Sequence, residues 1–456
     1  MILTKKFIEC TVPVTACNLK CEYCYVIQEN RRTNNIEELP YSIEFIAKAL
    51  SPDRLGGVSY INLCGAGETL LPHYIIDLIE KLLVTGNFVN VTTNGTLSNR
   101  FDELIALDHE LLSRLHIAFS FHYDELTRTK NLKSFFRNVD IVNKNSISLV
   151  VQCNLCDSYI ERIDEIKSIC VENIGGLPQF VVTRKEGEIP FTIYTENEKE
   201  YFTMGKHTES NLFDFTYDSF NKKRCHYCYA GAWSYKLILK TGELKRCYAE
   251  PVFYNIYNDI SERIPEYPIG YNCKSDYCVN ASHFLTLGTM PDIVIPSYDK
   301  LRNRKELLWY SKKMIDFFKQ RLFEDNTITH ERANNIAIIE YEDDYVELLD
   351  KKIIIYGAGN YGGIINKKLL DNGIKPVLIC DSDPKKQDNQ IVSVEKMKSS
   401  LDEYDNPLIV VAIKDDKIVN EVIYTLKDLN AELCTYYTVE TALRHINKAR
   451  GKNYGI

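Results

Sequence analysis

Residues 15–25 read TACNLKCEYCY, and three of them are cysteines: Cys17, Cys21 and Cys24. The first two are four positions apart and the last two three apart, with Tyr23 just ahead of the third. Three thiolates at this spacing can wrap one corner of a 4Fe–4S cube and leave the fourth iron without a protein ligand. An iron with an open position can bind a small molecule and pass it an electron, so the spacing points to chemistry and not only to stability. In a chain with 15 cysteines, one cysteine finds two more at these offsets by chance about once in a thousand trials. A structural zinc site is the alternative. Such sites pair CxxC knuckles with a nearby fourth ligand, whereas the next cysteine here, Cys64, stands 40 residues on.

Around this stretch, short apolar runs alternate with amphipathic ones as far as about residue 215. The strand-like pieces are FIECTVPV, VSYINLCG, FVNVTTN, LHIAFSFH, ISLVVQCN and LPQFVVTR. Between them lie the helical patterns YSIEFIAKAL, YIIDLIEKLL, FDELIALDHELL, LKSFFRNVDIV and IERIDEIKSIC. Six strands alternating with five helices predict an α/β fold, a partial (β/α)6 TIM-like barrel over residues 1–215. Sites in such barrels gather at the C-terminal strand ends, and the informative polar residues fall there. The second strand runs into LCGAGETLL, where Gly65 and Gly67 allow close backbone approach and Glu68 can hold a cation. The third ends in TTNGTL, placing Asn94 at the rim, and the fourth in SFHY, with Ser120 and His122. A serine hydroxyl there can hold a ribose or carboxylate, and a histidine can bind substrate or shuttle a proton. Asn154 and Arg184 follow the fifth and sixth strands. Cys64, Cys153 and Cys156 also lie at or near strand ends. They can return a hydrogen atom to a substrate radical or pack as small hydrophobes.

CxxxCxYC near the N-terminus, with an aromatic before the third cysteine, resembles the radical S-adenosylmethionine (radical SAM) enzymes. The resemblance implies that Cys17, Cys21 and Cys24 ligate a 4Fe–4S cluster whose open iron binds the amine and carboxylate of SAM. It implies that the sulfonium is cleaved reductively to a 5′-deoxyadenosyl radical, which abstracts hydrogen from a substrate. Tyr23 would lie against the adenine, and GAGE would bind the SAM amino group. The family usually has proline after the glutamate, where this chain has Thr69. Arg184 would suit the SAM carboxylate, since a planar guanidinium meets a carboxylate bidentately.

Composition changes near residue 222. KKRCHYCYAGAWSYKLILKTGELKRCYAEP is followed by CKSDYCVN. YKLILK and ELKRCY read as a β-hairpin turning at Thr241-Gly242. A cysteine before the hairpin and one at its end can grip a cluster from one side, and a later cysteine pair can close it. The arrangement resembles the twitch or SPASM extension of radical SAM enzymes, although it is shorter than a full SPASM domain. That predicts an auxiliary-cluster domain over 216–290 with one auxiliary 4Fe–4S on Cys228, Cys247, Cys273 and Cys278. Cys225 is a fifth candidate, and a zinc knuckle of Cys225 and Cys228 is the alternative.

Residues 291–349 read as a helical linker. KKIIIYGAGNYGGIINKKLLDNGIKPVLICDSDPKK follows, a strand running into Gly357, Gly359 and Gly362, then a helix. A second strand ends at Asp381, 19 residues after the third glycine, and PLIVVAI supplies another. This is a Rossmann-type fingerprint over 350–445, in which Asp381 would suit a ribose hydroxyl. It resembles the small Rossmann domains of enzymes of nucleotide-sugar and glycan synthesis. A nucleotide or nucleotide-sugar is therefore one expected ligand, and a degenerate fold used for docking or dimerisation is the other reading.

The 456 residues carry a net charge of −8, from 55 basic and 63 acidic side chains. No long basic run points to nucleic acid. No apolar run approaches the ~18 residues of a membrane span. The N-terminus has no signal-peptide core, so free, metal-bound thiols in a reducing cytoplasm are expected rather than disulfides. The family resemblance adds an electron donor such as flavodoxin or ferredoxin. The substrate expected is a sugar, nucleotide-sugar or glycan intermediate. A peptide-modifying maturase is the second reading, and a non-enzymatic iron–sulfur or nucleotide-sensing protein the third. No leader-binding domain is expected ahead of Cys17, which favours the glycan side.

Overall fold

The structure, a computed structural model, describes residues 4–449 apart from 188–189, 225, 292, 294, 305–306, 308, 320, 323–341 and 427. Six strands pair in parallel and in chain order: β1 (Thr4–Val12), β2 (Gly57–Gly65), β3 (Phe88–Thr93), β4 (Leu115–Ser120), β5 (Ser148–Leu155) and β6 (Gln179–Val182). Their near-continuous apolar runs are buried because both faces are covered, as parallel sheets require. The connecting helices follow the amphipathic patterns. Ile75–Val84 buries Ile75, Ile76, Leu78, Ile79, Leu82 and Leu83 on the sheet side. FDELIALDHELL splits in two, because the Asp108 carboxylate accepts the Glu110 N–H at 2.8 Å and starts a new helix, His109–Leu112.

A short ribbon, β7 (Arg184–Lys185) against β8 (Thr192–Ile193), follows the sixth strand. The expected hairpin is β9 (Ser234–Ile238) and β10 (Glu243–Lys245), turning at Thr241-Gly242. Gly242 has φ +74°, and a Cβ there would stand 2.4 Å from the Tyr257 ring. The hairpin continues the barrel sheet: β9 lies parallel to β1, with Phe7 opposite Ser234, and β11 (Val252–Asn255) extends it beyond β10. The sheet therefore runs β11-β10-β9-β1-β2-β3-β4-β5-β6.

The helices Ala281–Leu287, Tyr298–Arg302 and Lys312–Phe318 fill the N-terminal half of the barrel. Phe318 meets Tyr60 edge-on at 5.0 Å, and Phe317 lies 4.2 Å from Phe88. The Tyr60 hydroxyl reaches His116 Nδ1 at 2.6 Å and the Tyr298 hydroxyl at 3.2 Å. These aromatic rings pack against the N-terminal halves of the strands, and the strand C-termini line a cavity. Of the expected linker 291–349, residues 323–341 lie outside the described residues.

The C-terminal domain is a separate parallel sheet: β12 (Lys352–Tyr356), β13 (Leu378–Cys380), β14 (Ile391–Val392), β15 (Pro407–Val411) and β16 (Glu432–Thr435), in the order β14-β13-β12-β15-β16. That is the doubly wound order, reversing beside the first strand. Gly357, with φ +103°, makes the turn into the helix Asn360–Asp371. A Cβ on Gly362 would stand 1.9 Å from the Gly357 carbonyl oxygen, so helix and turn pack as closely as the third fingerprint glycine allows.

Candidate active site

The cysteine loop sits on top of the barrel and is tied down from several directions. Arg32 donates to the carbonyls of Leu19 at 2.7 Å and of Cys17. Glu125 accepts the Lys20 N–H at 2.5 Å and is itself held by Arg128. The loop's floor is the glycine-rich turn after β2. Gly67 N–H donates to Val14 O and Glu68 N–H to Ala16 O, both at 2.8 Å. A Cβ on Gly65 would strike Val14 Cγ1 at 2.4 Å. Thr69, at the position where proline was expected, has a use of its own: its hydroxyl accepts the Gly65 N–H at 3.0 Å.

Glu68 is fully buried under this floor. Its carboxylate accepts from the Thr93 hydroxyl at 2.6 Å, the Asn94 N–H at 2.7 Å and the Leu70 N–H at 3.0 Å. Burial pushes its pKa up, and these three donors pull it back. Asn94 Nδ2 donates to Asn18 Oδ1 at 2.8 Å and reaches Cys17 Sγ at 3.7 Å, linking the third strand end to the loop.

Cys17, Cys21, Cys24, Tyr23, Gly65, Gly67, Glu68, Asn94, Ser120, His122, Asn154 and Arg184 all line a single cavity of about 350 Å³. They come from the cysteine loop and from the ends of β2 to β6. Tyr23 is buried, its hydroxyl 2.8 Å from His122 Nδ1 and 3.4 Å from the Tyr159 hydroxyl. Burial lowers the His122 pKa to about 4, so the imidazole is neutral at pH 7. Arg184 forms an ion pair with Glu186, and its guanidinium lies 4.7 Å from the Phe191 ring. Of the three strand-end thiols, Cys64 lines the cavity and is pushed by burial up to about 12, while Cys153 and Cys156 are buried in the core. Sequence reasoning missed Arg32, which sits in no motif, and the parts that Thr69 and Thr93 play inside LCGAGETLL and TTNGTL, which only their partners Gly65 and Glu68 reveal.

The buried His122 allows a direct check. Its folded pKa is depressed, so between pH 6.5 and 4 the unfolded chain binds a proton that the native chain refuses, and stability falls with pH. From pH 7 to pH 5 the wild type should lose about 2 kcal/mol relative to His122→Gln. Denaturant titrations at the two pH values measure this, and parallel losses would show that His122 is not held neutral.

Cys228, Cys247, Cys273 and Cys278 line a second, smaller pocket. Cys228 is fixed by a two-way backbone bridge to Gly270, at 3.0 and 2.9 Å. Burial raises all of these thiols for which a shift is resolved. Cys247 is pushed up to about 12, with Cys273 adding to the burial effect, and Cys228 is raised by burial together with Cys273, Cys247 and Cys278. Among the described residues no group of three or more His, Cys, Asp or Glu side chains is arranged to hold a single metal ion. All-thiol sets of three and of four, each lining a pocket, match the donor chemistry of iron–sulfur clusters. Cys225 lies outside the described residues.

In the C-terminal domain, the Asp381 carboxylate accepts from Ala358 N–H at 2.7 Å and Asp383 N–H at 2.9 Å, with Lys386 at 3.4 Å. Burial acts to raise its pKa, but these contacts hold it below the usual carboxylate value. Asp381 therefore braces the glycine turn of Gly357 and Gly359 from the tip of the second strand.

A family model places these residues in a wider set. The stretch 11–166 matches the model described as the radical SAM superfamily. That family implies a 4Fe–4S cluster and SAM, and the three thiols, glycine floor and buried carboxylate of the matched stretch fit both. Solved structures to which the chain is similar include SuiB of Streptococcus suis, at 13% identity and TM-score 0.40, over 56% of this chain and 64% of that one. The chain thus spans just under two thirds of SuiB. Another is anSMEcpe with bound AdoMet and Cp18Cys peptide, at 16% identity and TM-score 0.38, over 56% of this chain and 78% of that one. BtrN in complex with AdoMet and 2-DOIA is similar at 16% identity and TM-score 0.33, over 61% of this chain and 94% of that one. No curated protein matches the chain. Among the described residues no helix is long and apolar enough to cross a membrane.

Proposed function

We propose that this chain is a radical SAM enzyme with one auxiliary 4Fe–4S cluster, abstracting hydrogen from an unactivated substrate carbon in an oxidation, epimerisation or cross-linking. The observation that carries the reading is the single cavity in which the cysteine loop, the glycine floor, Glu68 and five strand ends meet. A 4Fe–4S cluster on Cys17, Cys21 and Cys24 would supply the electron that cleaves the SAM sulfonium to a 5′-deoxyadenosyl radical. The protein's own part is placement. Glu68 offers a carboxylate to the SAM ammonium, and Arg184 a guanidinium to its carboxylate. Ser120, Asn94 and Asn154 supply neutral polar contacts, and Tyr23 closes one wall. Neutral His122 can hold substrate or carry a proton. The four later cysteines bind the auxiliary cluster, and a flavodoxin- or ferredoxin-like donor delivers electrons. The substrate is a sugar, nucleotide-sugar or glycan intermediate; the doubly wound C-terminal domain with its braced glycine turn supports that side.

Anaerobic reconstitution should load about eight irons per chain. Cys17→Ala and Cys247→Ala should each leave about four. Only the second should still cleave SAM to 5′-deoxyadenosine under reduction. A fully loaded wild type that releases no 5′-deoxyadenosine refutes the reading. Deuterium passing into 5′-deoxyadenosine from labelled nucleotide-sugars, and not from peptides, identifies the substrate side; the reverse identifies a peptide maturase.

A further inference from the structure

Between the two cysteine sets lies another cavity, of about 280 Å³. It shares Val182 and Arg184 with the first cavity, and Tyr277, Cys278 and Asn280 with the pocket of the four cysteines. It therefore borders both of them.

Its wall holds Arg302, which is 1% exposed. The guanidinium stacks 3.6 Å from the Tyr298 ring centroid and donates to Ser282 O at 2.9 Å and, weakly, to Tyr298 O at 3.5 Å. Among the described residues no carboxylate lies within ion-pair distance of it. Glu9, the buried acid on β1, is committed to Asn62 at 3.0 Å and Asn280 at 3.2 Å, and its cationic neighbour is Lys236. A buried cation facing only carbonyls and a ring is short of a counter-charge. Two further polar atoms of the lining residues are buried without a partner, His283 Nδ1 and Asn221 Oδ1. Native interiors rarely leave such atoms idle. A fixed cation and two unpartnered polar atoms lining one cavity suit an oxyanion that also bears a hydroxyl or amide.

We propose that this cavity is the substrate subsite and takes an oxyanion of the substrate, a carboxylate or a phosphate, on Arg302. The inference rests on the radical SAM reading for the word substrate, but the anion site stands on the cavity and Arg302 whatever the chemistry. Arg302 sets which molecules are held between the two cysteine sets, and Arg184, paired with Glu186 at the boundary, leaves the charge selection to it.

The test uses the full, reconstituted chain, with inorganic phosphate and acetate as probes against chloride at equal ionic strength. At about ten times Kd either probe should raise the melting midpoint by about 2–4 °C, and the stronger one distinguishes phosphate from carboxylate. Arg302→Met should abolish the rise while keeping or raising the midpoint in chloride, because a buried uncompensated charge is gone. Arg302→Lys should retain part of the rise. Hydrogen exchange on the wild type keeps the test decisive if Arg302→Met does not fold. Added protection at 281–283 and 298–302 supports the site, and none there overturns it. A rise of equal size in Arg302→Met, or no rise in the wild type, also overturns it. If instead the radical SAM reading is at fault, the anion response persists in a protein that never cleaves SAM.

Discussion

Gly67→Ala should yield a protein that cannot hold the first cluster. A Cβ at this position would stand 2.0 Å from Ala16 O, 2.6 Å from Ala16 C and 2.7 Å from Thr15 C. All three are backbone atoms of the segment leading into Cys17, so no rotamer change relieves the clash. The loop has to lift by more than an ångström. Lifting breaks the two 2.8 Å bonds that clamp it, Gly67 N–H to Val14 O and Glu68 N–H to Ala16 O. Each buried pair left open costs about 1–3 kcal/mol, and the loop's geometry is lost with them. Iron should fall from about eight to about four per chain, and 5′-deoxyadenosine formation by more than about a hundredfold. Gly363→Ala is the matched control. Its Cβ meets nothing within 4 Å inside the helix Asn360–Asp371. That variant should load fully and gain up to about 1 kcal/mol of stability from helix propensity. A Gly67→Ala protein with full iron and wild-type turnover would show that the floor does not shape the loop.

That the floor could be found at all reflects what local sequence encodes. Each barrel strand was visible as an apolar run ending in a polar or glycine step, and the observed strands lie within those runs to a few residues. The Thr241-Gly242 turn was visible because only a residue that tolerates φ +74° can sit there. What was hidden depends on partners far along the chain. Nothing in YKLILK says that β9 will lie beside β1, over two hundred residues earlier. Nothing in the stretch around Arg302 says that its helix will plug the barrel. Arg32 reads as surface charge until Cys17 O and Leu19 O are seen against it. Asp381 was visible as the acid that ends a second Rossmann strand, but its bond to Ala358 N–H was not. Local periodicity gives elements and their ends, while the chemistry of the site depends on contacts that no window of sequence spans.

Glu68→Gln should weaken SAM binding about 10- to 100-fold while leaving iron content near the wild-type value. The side chain keeps its shape, so the effect is one of charge and donor pattern. In the wild type Oε1 accepts from Thr93 and Leu70, and Oε2 from Asn94 N–H. Glutamine can satisfy the first two through its carbonyl, but its amide then faces the Asn94 N–H, donor against donor. That conflict costs about 1–3 kcal/mol in a buried site and lowers the melting midpoint. The lost negative charge removes a charge-assisted bond to an ammonium, worth about 1.5–3 kcal/mol, or roughly one to two decades in Kd. Burial pushes the Glu68 pKa up against the pull of its three donors, and a cationic ligand favours the ionised form. SAM affinity should therefore rise with pH through the pKa of Glu68 in the wild type and be flat in Glu68→Gln. Calorimetric titration of the loaded protein at several pH values measures both the affinity and its slope. Equal affinity in the two proteins would remove Glu68 from the SAM site. It would favour an iron–sulfur protein that carries the cysteine loop without using it to turn over SAM.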